Sequence, residues 1–378
     1  MEHSRALELI LLLGIVSLLG DIVYEGCRSV AGPYLKLLGA SAFAVGLVSG
    51  VGEFLGFALR LPFGYLSDRT SSYWGLTIAG YTLLFSIPLL ALVWDWRMAA
   101  LLLLVERTGK ALRSPARNTI LSQAAVEVGA GKGFAIHEIL DQVGAIVGPI
   151  LFSLMLLAGG YREAFLVVLA PLFLLLFFLF HARRTFPRVV PKTRPESGGG
   201  ELGRSLKWYN LFVFISAAGL LPWPLLAYHM KQAGTMAEEA IPLAYALAMM
   251  ADALSAYPIG VVFDRMGFVS LSICPLFSVL VPLAFLRYPA CLVGVVAYGL
   301  VLGIYETIMR AGVAKLAPLE KRGLAYGTFE SVYGLSFLLG NSLAGLLCEH
   351  NVSLVTLYVF LVEILSLLAL AKVMRLKE

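Results

Sequence analysis

The sequence predicts an all-α membrane protein of twelve transmembrane helices in two pseudo-symmetric six-helix bundles. Three observations carry this prediction: the composition, a succession of twelve apolar runs, and a repeat between the halves. Hydrophobic residues make up 59% of the 378 positions and charged residues only 14%, with a mean hydropathy of +0.85. Soluble domains run at about 45–50% apolar and about 25% charged, so this chain is written for lipid. A spanning helix needs about 20 mostly apolar residues, and twelve with short connections fill the chain. The net charge of +5 sits mostly in the connections, where it sets topology, and no nucleic-acid partner is expected.

Apolar runs separated by polar or Gly/Pro turns fall at 7–37, 44–66, 74–94, 98–122, 133–158, 163–183, 208–230, 239–263, 269–286, 289–316, 322–347 and 352–373. Pro222 and Pro224 in GLLPWPLL predict a kink or break near the middle of the seventh. The first run continues past Asp21 and Glu25 with no small-residue cleavage site, so a cleaved leader is not expected. Cys27, Cys274, Cys291 and Cys348 lie far apart in apolar segments and read as small core residues without metal or disulfide spacing.

Basic residues sort to one side. With a cytoplasmic N-terminus, that side holds Arg5, Arg69, Arg113, Arg117, Lys132, Arg265, Lys315, Lys321, Arg322, Lys372, Arg375 and Lys377. The opposite side holds only Lys36, Arg97, Arg162, Lys231 and Arg287. The asymmetry predicts both termini in the cytoplasm of a multi-pass cytoplasmic-membrane protein. It also places there the basic, Pro/Gly-rich linker 184–207, between an N-terminal bundle (1–183) and a C-terminal bundle (208–378).

The halves repeat one another. LPFGYLSDRT (61–70) ends the second run and YPIGVVFDRM (257–266) ends the eighth, with Pro62, Gly64, Asp68 and Arg69 matching Pro258, Gly260, Asp264 and Arg265. GKGFA (131–135) and KRGLAYG (321–327) likewise open the fifth and eleventh. Two matches in corresponding places predict a duplicated transporter. Gly64 and Gly260 are expected to admit a close helix, and Asp68 and Asp264 to accept hydrogen bonds or pair with a base, Arg113 and Arg117 being natural partners for Asp68.

At these residues the chain resembles the major facilitator superfamily, whose loop signature is Gly-x-x-x-Asp-Arg-x-Gly-Arg-Arg/Lys. Gly64, Asp68 and Arg69 fit, but Thr70-Ser71-Ser72-Tyr73 lacks the following glycine and basic pair; the second copy has Gly260, Asp264, Arg265 and Gly267. ERTGKALRSPARN (106–118) is similar to a stretch of a prokaryotic subgroup of uncharacterised permeases. Gly144-x-x-x-Gly148-Pro149 is similar to the antiporter motif of drug/proton exchangers, but Phe152-Ser153 replaces its final glycines. The resemblance implies a cytoplasmic gate at Gly64, Asp68, Arg69, Arg113, Arg117, Gly260, Asp264 and Arg265, and a central cavity lined by helices one, four, seven and ten.

Charges in lipid are costly and should face a cavity or a partner. Asp21, Glu25 and Arg28 share one face of the first helix, with Tyr24 one step round. The fourth stacks Glu106, Lys110, Arg113 and Arg117, with Arg107 beside them; the tenth has Tyr305, Glu306 and Arg310, and the seventh Trp223 and His229. Solute binding is therefore expected at Tyr24, Arg28, Arg107, Trp223, Tyr305 and Arg310, since guanidinium forks suit anionic or polar groups. Proton coupling is expected among Asp21, Glu25, Glu106, Asp141 and Glu306, with static ion pairing as the alternative. His137 and Asp141 share a face of the fifth helix, which makes neither a zinc-protease pattern nor a metal site.

These features predict a monomeric secondary transporter that moves a small polar or anionic organic solute, with protons and membrane lipids as further partners and no cofactor. A drug/proton exporter and an inorganic or metal-ion carrier are the alternatives. Enzyme function is not expected, because no nucleophile elbow, Cys–His pair or paired-carboxylate motif occurs, and no phosphate-binding loop for an ATP-driven pump.

Overall fold

The computed structural model describes residues 3–187, 203–318 and 322–376, and among them every regular element is helical. Most of the 184–207 linker, with Lys321 and Lys377, lies outside the described residues. The first six segments are α1 His3–Leu37, α2 Ala42–Thr70, α3 Tyr73–Leu92, α4 Trp96–Val128, α5 Ala130–Ala158 and α6 Tyr161–Thr185. The second six are α7 Arg204–Ala233, α8 Ala240–Met266, α9 over 267–285, α10 Cys291–Leu316, α11 Arg322–His350 and α12 Val352–Arg375.

Among the described residues ten helices are long and apolar enough to cross a bilayer, one of them the run Ala240–Phe285 that joins α8 to α9. The 33-residue α4 is long enough but carries Arg97, Glu106, Arg107, Lys110, Arg113, Arg117 and Glu127. Its charge, rather than its length, sets it apart, and the twelve-segment pattern of the sequence holds.

Helix ends follow local chemistry. Asp95 caps α4 by accepting the Arg97 N–H at 3.0 Å, and Asn351 caps α12 by accepting that of Ser353 at 2.8 Å. Gly160 (φ +97°) and Gly234 (φ +60°) sit where the chain needs a conformation that other residues adopt only under strain. As expected from its prolines, α7 is broken: it is helical to Gly219, extended at Leu220 and Pro222, and resumes at Trp223. The break frees carbonyls, and Ala218 O accepts the Tyr358 hydroxyl at 2.8 Å. A second irregularity was not expected: Tyr305–Met309 form a π-helical turn within α10. Tyr209 supports it by donating to Met309 O at 2.6 Å.

The chain folds as two compact units. The first comprises Met1–Gly39, Ala58–Thr193 and Glu238–Ala246, and the second Ala40–Phe57, Arg194–Ala237 and Leu247–Glu378. In the first, α1 packs along α5 through small residues: Gly144 faces the Leu18 carbonyl, and a Cβ at Gly148 would lie 2.5 Å from that of Ile22. The antiporter-like glycines thus serve a helix seam. Leu157, Phe173, Phe177 and Leu368 stand exposed on the helices, as suits a surface solvated by lipid tails.

Candidate functional site

The first unit gathers the charges of α1, α4 and α5. Tyr24 on α1 is their meeting point: its hydroxyl accepts hydrogen bonds from Arg28 at 2.9 Å and from Arg107. Arg107 also lies over the ring with its guanidinium carbon 4.8 Å from the centroid, and the Lys110 ammonium sits 4.0 Å from it. Three cations therefore share one phenol, whose negative π-face and hydroxyl oxygen both attract positive charge.

The carboxylates surround this centre. Glu25, buried, accepts the Tyr245 hydroxyl at 2.6 Å. Glu106 pairs with Arg107 at 3.7 Å and with Arg113 at 3.9 Å, and Arg113 lies over the Tyr81 ring at 4.9 Å. Lys110 lies within electrostatic reach of Glu25, Asp21 and Glu106, and Asp21 in turn of Asp141 and Arg117. Arg117 donates to Ser17 at 2.6 Å, and the His137 ring stands 3.7 Å from the Asp141 carboxylate. Arg28, Arg107, Lys110, Arg113 and Arg117 thus face Asp21, Glu25, Glu106 and Asp141, five bases against four acids.

The structure brings Tyr24, Arg28, Arg107, Asp21, Glu25, Glu106 and Asp141 into this one cluster. It also adds Lys110, Tyr81, Ser17 and Tyr245, which were not among the expected site residues. Lys110 was legible on the charged face of α4. Tyr245 had no signal, because a lone tyrosine in an apolar helix says nothing about its partner.

Other expected residues lie in the second unit. Trp223 is fully buried against Tyr298 with ring centroids 5.7 Å apart, and Tyr305 is buried with its hydroxyl on Ser216 at 2.9 Å. Both are core residues of that unit in this structure. Glu306 and Arg310 are exposed and reach Tyr333 electrostatically.

The turn residues differ from expectation in two respects. Arg113 and Arg117 are engaged with Glu106, Tyr81 and Ser17 and do not meet Asp68, which accepts the Tyr73 hydroxyl at 3.3 Å. Arg113 and Arg117 point along α4 into the charged cluster, whereas Asp68, Arg69, Asp264 and Arg265 are exposed at the helix ends. Nor does a helix press on the loop glycines: a Cβ at Gly64 would meet Pro115 at an ordinary 3.6 Å, and one at Gly260 would meet nothing within 4 Å.

Comparison with known proteins agrees with this architecture. The profile of the Major Facilitator Superfamily matches residues 15–223 and again 208–377. The chain belongs to the Major Facilitator Superfamily. Membership makes it a multi-pass membrane protein of a family of small-molecule transporters, and points to a transporter rather than to an enzyme. Among its relatives, an uncharacterised protein of Mycobacterium tuberculosis is 38% identical over 94% of this chain and 90% of its own length. An uncharacterised MFS-type transporter of Methanocaldococcus jannaschii is 28% identical over 97% and 95%. Among solved structures, a mutant of the nucleoside transporter NupG superposes with a TM-score of 0.81 at 16% identity, covering 97% of this chain and 99% of that one. A bacterial homologue of the human lysosomal transporter Spinster, inward-facing and occupied, gives 0.72 at 14% identity, over 97% and 95%. At such identities the likeness establishes the superfamily fold.

Proposed function

We propose that this superfamily member is a secondary transporter that moves a small anionic or polar organic solute across the cytoplasmic membrane by alternating access, coupled to protons. The observation that carries this reading is the convergence of Arg28, Arg107 and Lys110 on Tyr24. Guanidinium forks bind carboxylates and phosphates bidentately, and an anion entering a cluster of five bases and four acids balances its charge. Arg28, Arg107 and Tyr24 are the solute contacts of this proposal, and Asp21 and Glu25, one helical turn apart on α1, its proton carriers. Glu106 and Asp141 hold the cluster's remaining charge. The turns at Gly64–Arg69 and Gly260–Arg265 act as its gate, the protein works as a monomer, and both termini face the cytoplasm.

Uptake and efflux in proteoliposomes, with and without an imposed pH gradient, test the reading. The panel holds carboxylates, phosphorylated metabolites and uncharged nucleosides, the last because NupG is a nucleoside transporter. Gradient-driven movement of an anionic class is the expected result. Transport confined to uncharged nucleosides would keep the polar solute and remove the anionic one, and transport indifferent to the gradient would overturn proton coupling. Export of cationic drugs would favour the antiporter reading that Gly144 and Gly148 suggest. For a metal-ion carrier, no group of three or more candidate ligands occurs among the described residues.

A further inference from the structure

The second unit holds a charge that the cluster on Tyr24 does not use. Glu363, in the middle of α12, is 1% exposed. Among the described residues it has no ion-pair partner, and its Oε1 has no hydrogen-bond partner. Its other oxygen, Oε2, accepts from Ser216 on α7 at 3.3 Å and from Ser366 at 2.9 Å. Ser216 in turn accepts the Tyr305 hydroxyl at 2.9 Å. The titratable groups facing Glu363 are Cys274 from α9, Tyr305 from α10 and Tyr358 from its own helix; Ser278 of α9 supplies a further hydroxyl beside it. A buried carboxylate with hydroxyls for company and no base is an arrangement that static ion pairing does not explain.

Its position is specific as well. Oε1 abuts the end of α7's first segment, where a Cβ on Gly219 would lie 2.7 Å away, and the α7 break begins at the next residue. Tyr305, at the other end of the hydroxyl chain, is the first residue of the π-helical turn in α10. One carboxyl group therefore abuts the α7 break and reaches the α10 π-turn through Ser216, and such turns are frequent at functional sites.

We propose that Glu363 is a proton-binding site of the second unit, wired through Ser216 to Tyr305 so that proton loading is felt at the α7 break and the α10 π-turn. Loading transfers a proton from hydronium to the carboxylate, so one O–H bond breaks there and one forms on Glu363, water leaves, and the site goes from one negative charge to neutral. The new O–H supplies a donor where all present partners are donors, so Ser366 can keep its hydrogen on Glu363 O, 2.8 Å away, while its oxygen accepts from the acid. The Gly219 backbone lies against the Oε1 face. The site stands independently of the solute proposed above.

Infrared difference spectra between acidic and alkaline buffer, taken on the full chain in phosphatidylcholine vesicles, read it directly. The wild type should show a carboxylic-acid carbonyl band that appears on acidification, and Glu363→Gln should lose it. Ser216→Ala and Tyr305→Phe should retain the band but move its midpoint by about half a pH unit or more, the effect of one altered hydrogen bond. If Glu363→Gln does not elute as a folded species, Glu363→Asp must shift the band. A band unchanged in Glu363→Gln, or in Glu363→Asp where that variant is used, overturns the site. An unmoved midpoint in both hydroxyl variants overturns the wiring. Loss of the band on adding sodium at constant pH would make the site a sodium site and overturn the proton assignment.

Discussion

Tyr245 of α8 donates its hydroxyl to the carboxylate of Glu25 in α1 at 2.6 Å, across 220 residues of sequence. Both belong to the first compact unit, which takes Glu238–Ala246 from the second half of the chain. Removing the hydroxyl in Tyr245→Phe leaves a buried carboxylate oxygen without its partner, at a cost of about 1–3 kcal/mol. A lower Tm in detergent should report it, along with a changed pH dependence of gradient-driven uptake. An unaltered Tm and pH profile would mean that water replaces the hydroxyl without loss.

Arg107→Ala removes a hydrogen bond to Tyr24 and a cation stacked on its ring. Solute affinity should fall about 10- to 100-fold, as for the loss of a charged hydrogen bond worth about 1.5–3 kcal/mol. Tyr24→Phe should cost less, because the ring face remains for Lys110. Direct binding of the transported solute to purified variants, by calorimetry, measures both, and equal affinities in wild type and Arg107→Ala would remove Arg107 from the site.

Coupling and binding should separate at α1. Glu25→Gln and Asp21→Asn keep shape but remove the charge, so solute exchange without a gradient should persist while gradient-driven accumulation is lost. Full accumulation in both variants moves coupling to Glu106, Asp141 or Glu306. Loss of folding, seen by size exclusion, would make the two acids members of structural ion pairs.

The α1–α5 seam should be intolerant of volume. Gly148→Val would drive a side chain into the Ile22 carbonyl and the Gly26 backbone, where a Cβ alone comes within 2.9 Å. Overpacking of this kind typically costs about 1–3 kcal/mol or more, so the variant should express poorly or melt early. Gly56→Ala, where a Cβ meets nothing within 4 Å, is the control and should behave as wild type.

Topology is checked by labelling from outside intact cells. Ser197→Cys in the linker, outside the described residues, should escape a membrane-impermeant reagent, and Gly159→Cys at the end of α5 should react. Cys27, Cys274 and Cys291 are buried, so Cys348→Ser removes the remaining background. The reverse pattern would invert the proposed orientation.

Much of this molecule was legible along the chain. Twelve apolar stretches, the duplicated Gly-x-x-x-Asp-Arg turn and the Pro222/Pro224 break follow from local rules: the length of helix that spans hydrocarbon, and the missing donor and fixed φ of proline. The charges of α1 and α4 were equally plain, because an ionised side chain in a spanning helix costs too much to be incidental. What the sequence could not determine is which of them meet. That Lys110 and Arg107 converge on Tyr24, that Arg113 serves Glu106 and not Asp68, and that Tyr245 reaches Glu25 depend on how the helices pack and which face each turns inward. The contacts to Tyr24 and Glu25 join side chains 80 to 220 positions apart, set by volume and by glycine seams such as Gly144–Gly148. The π-turn at Tyr305 has no residue that announces it either. Tyr209 donates to the Met309 carbonyl within it and Ser216 accepts from the Tyr305 hydroxyl, and only the assembled tertiary structure brings those partners to it.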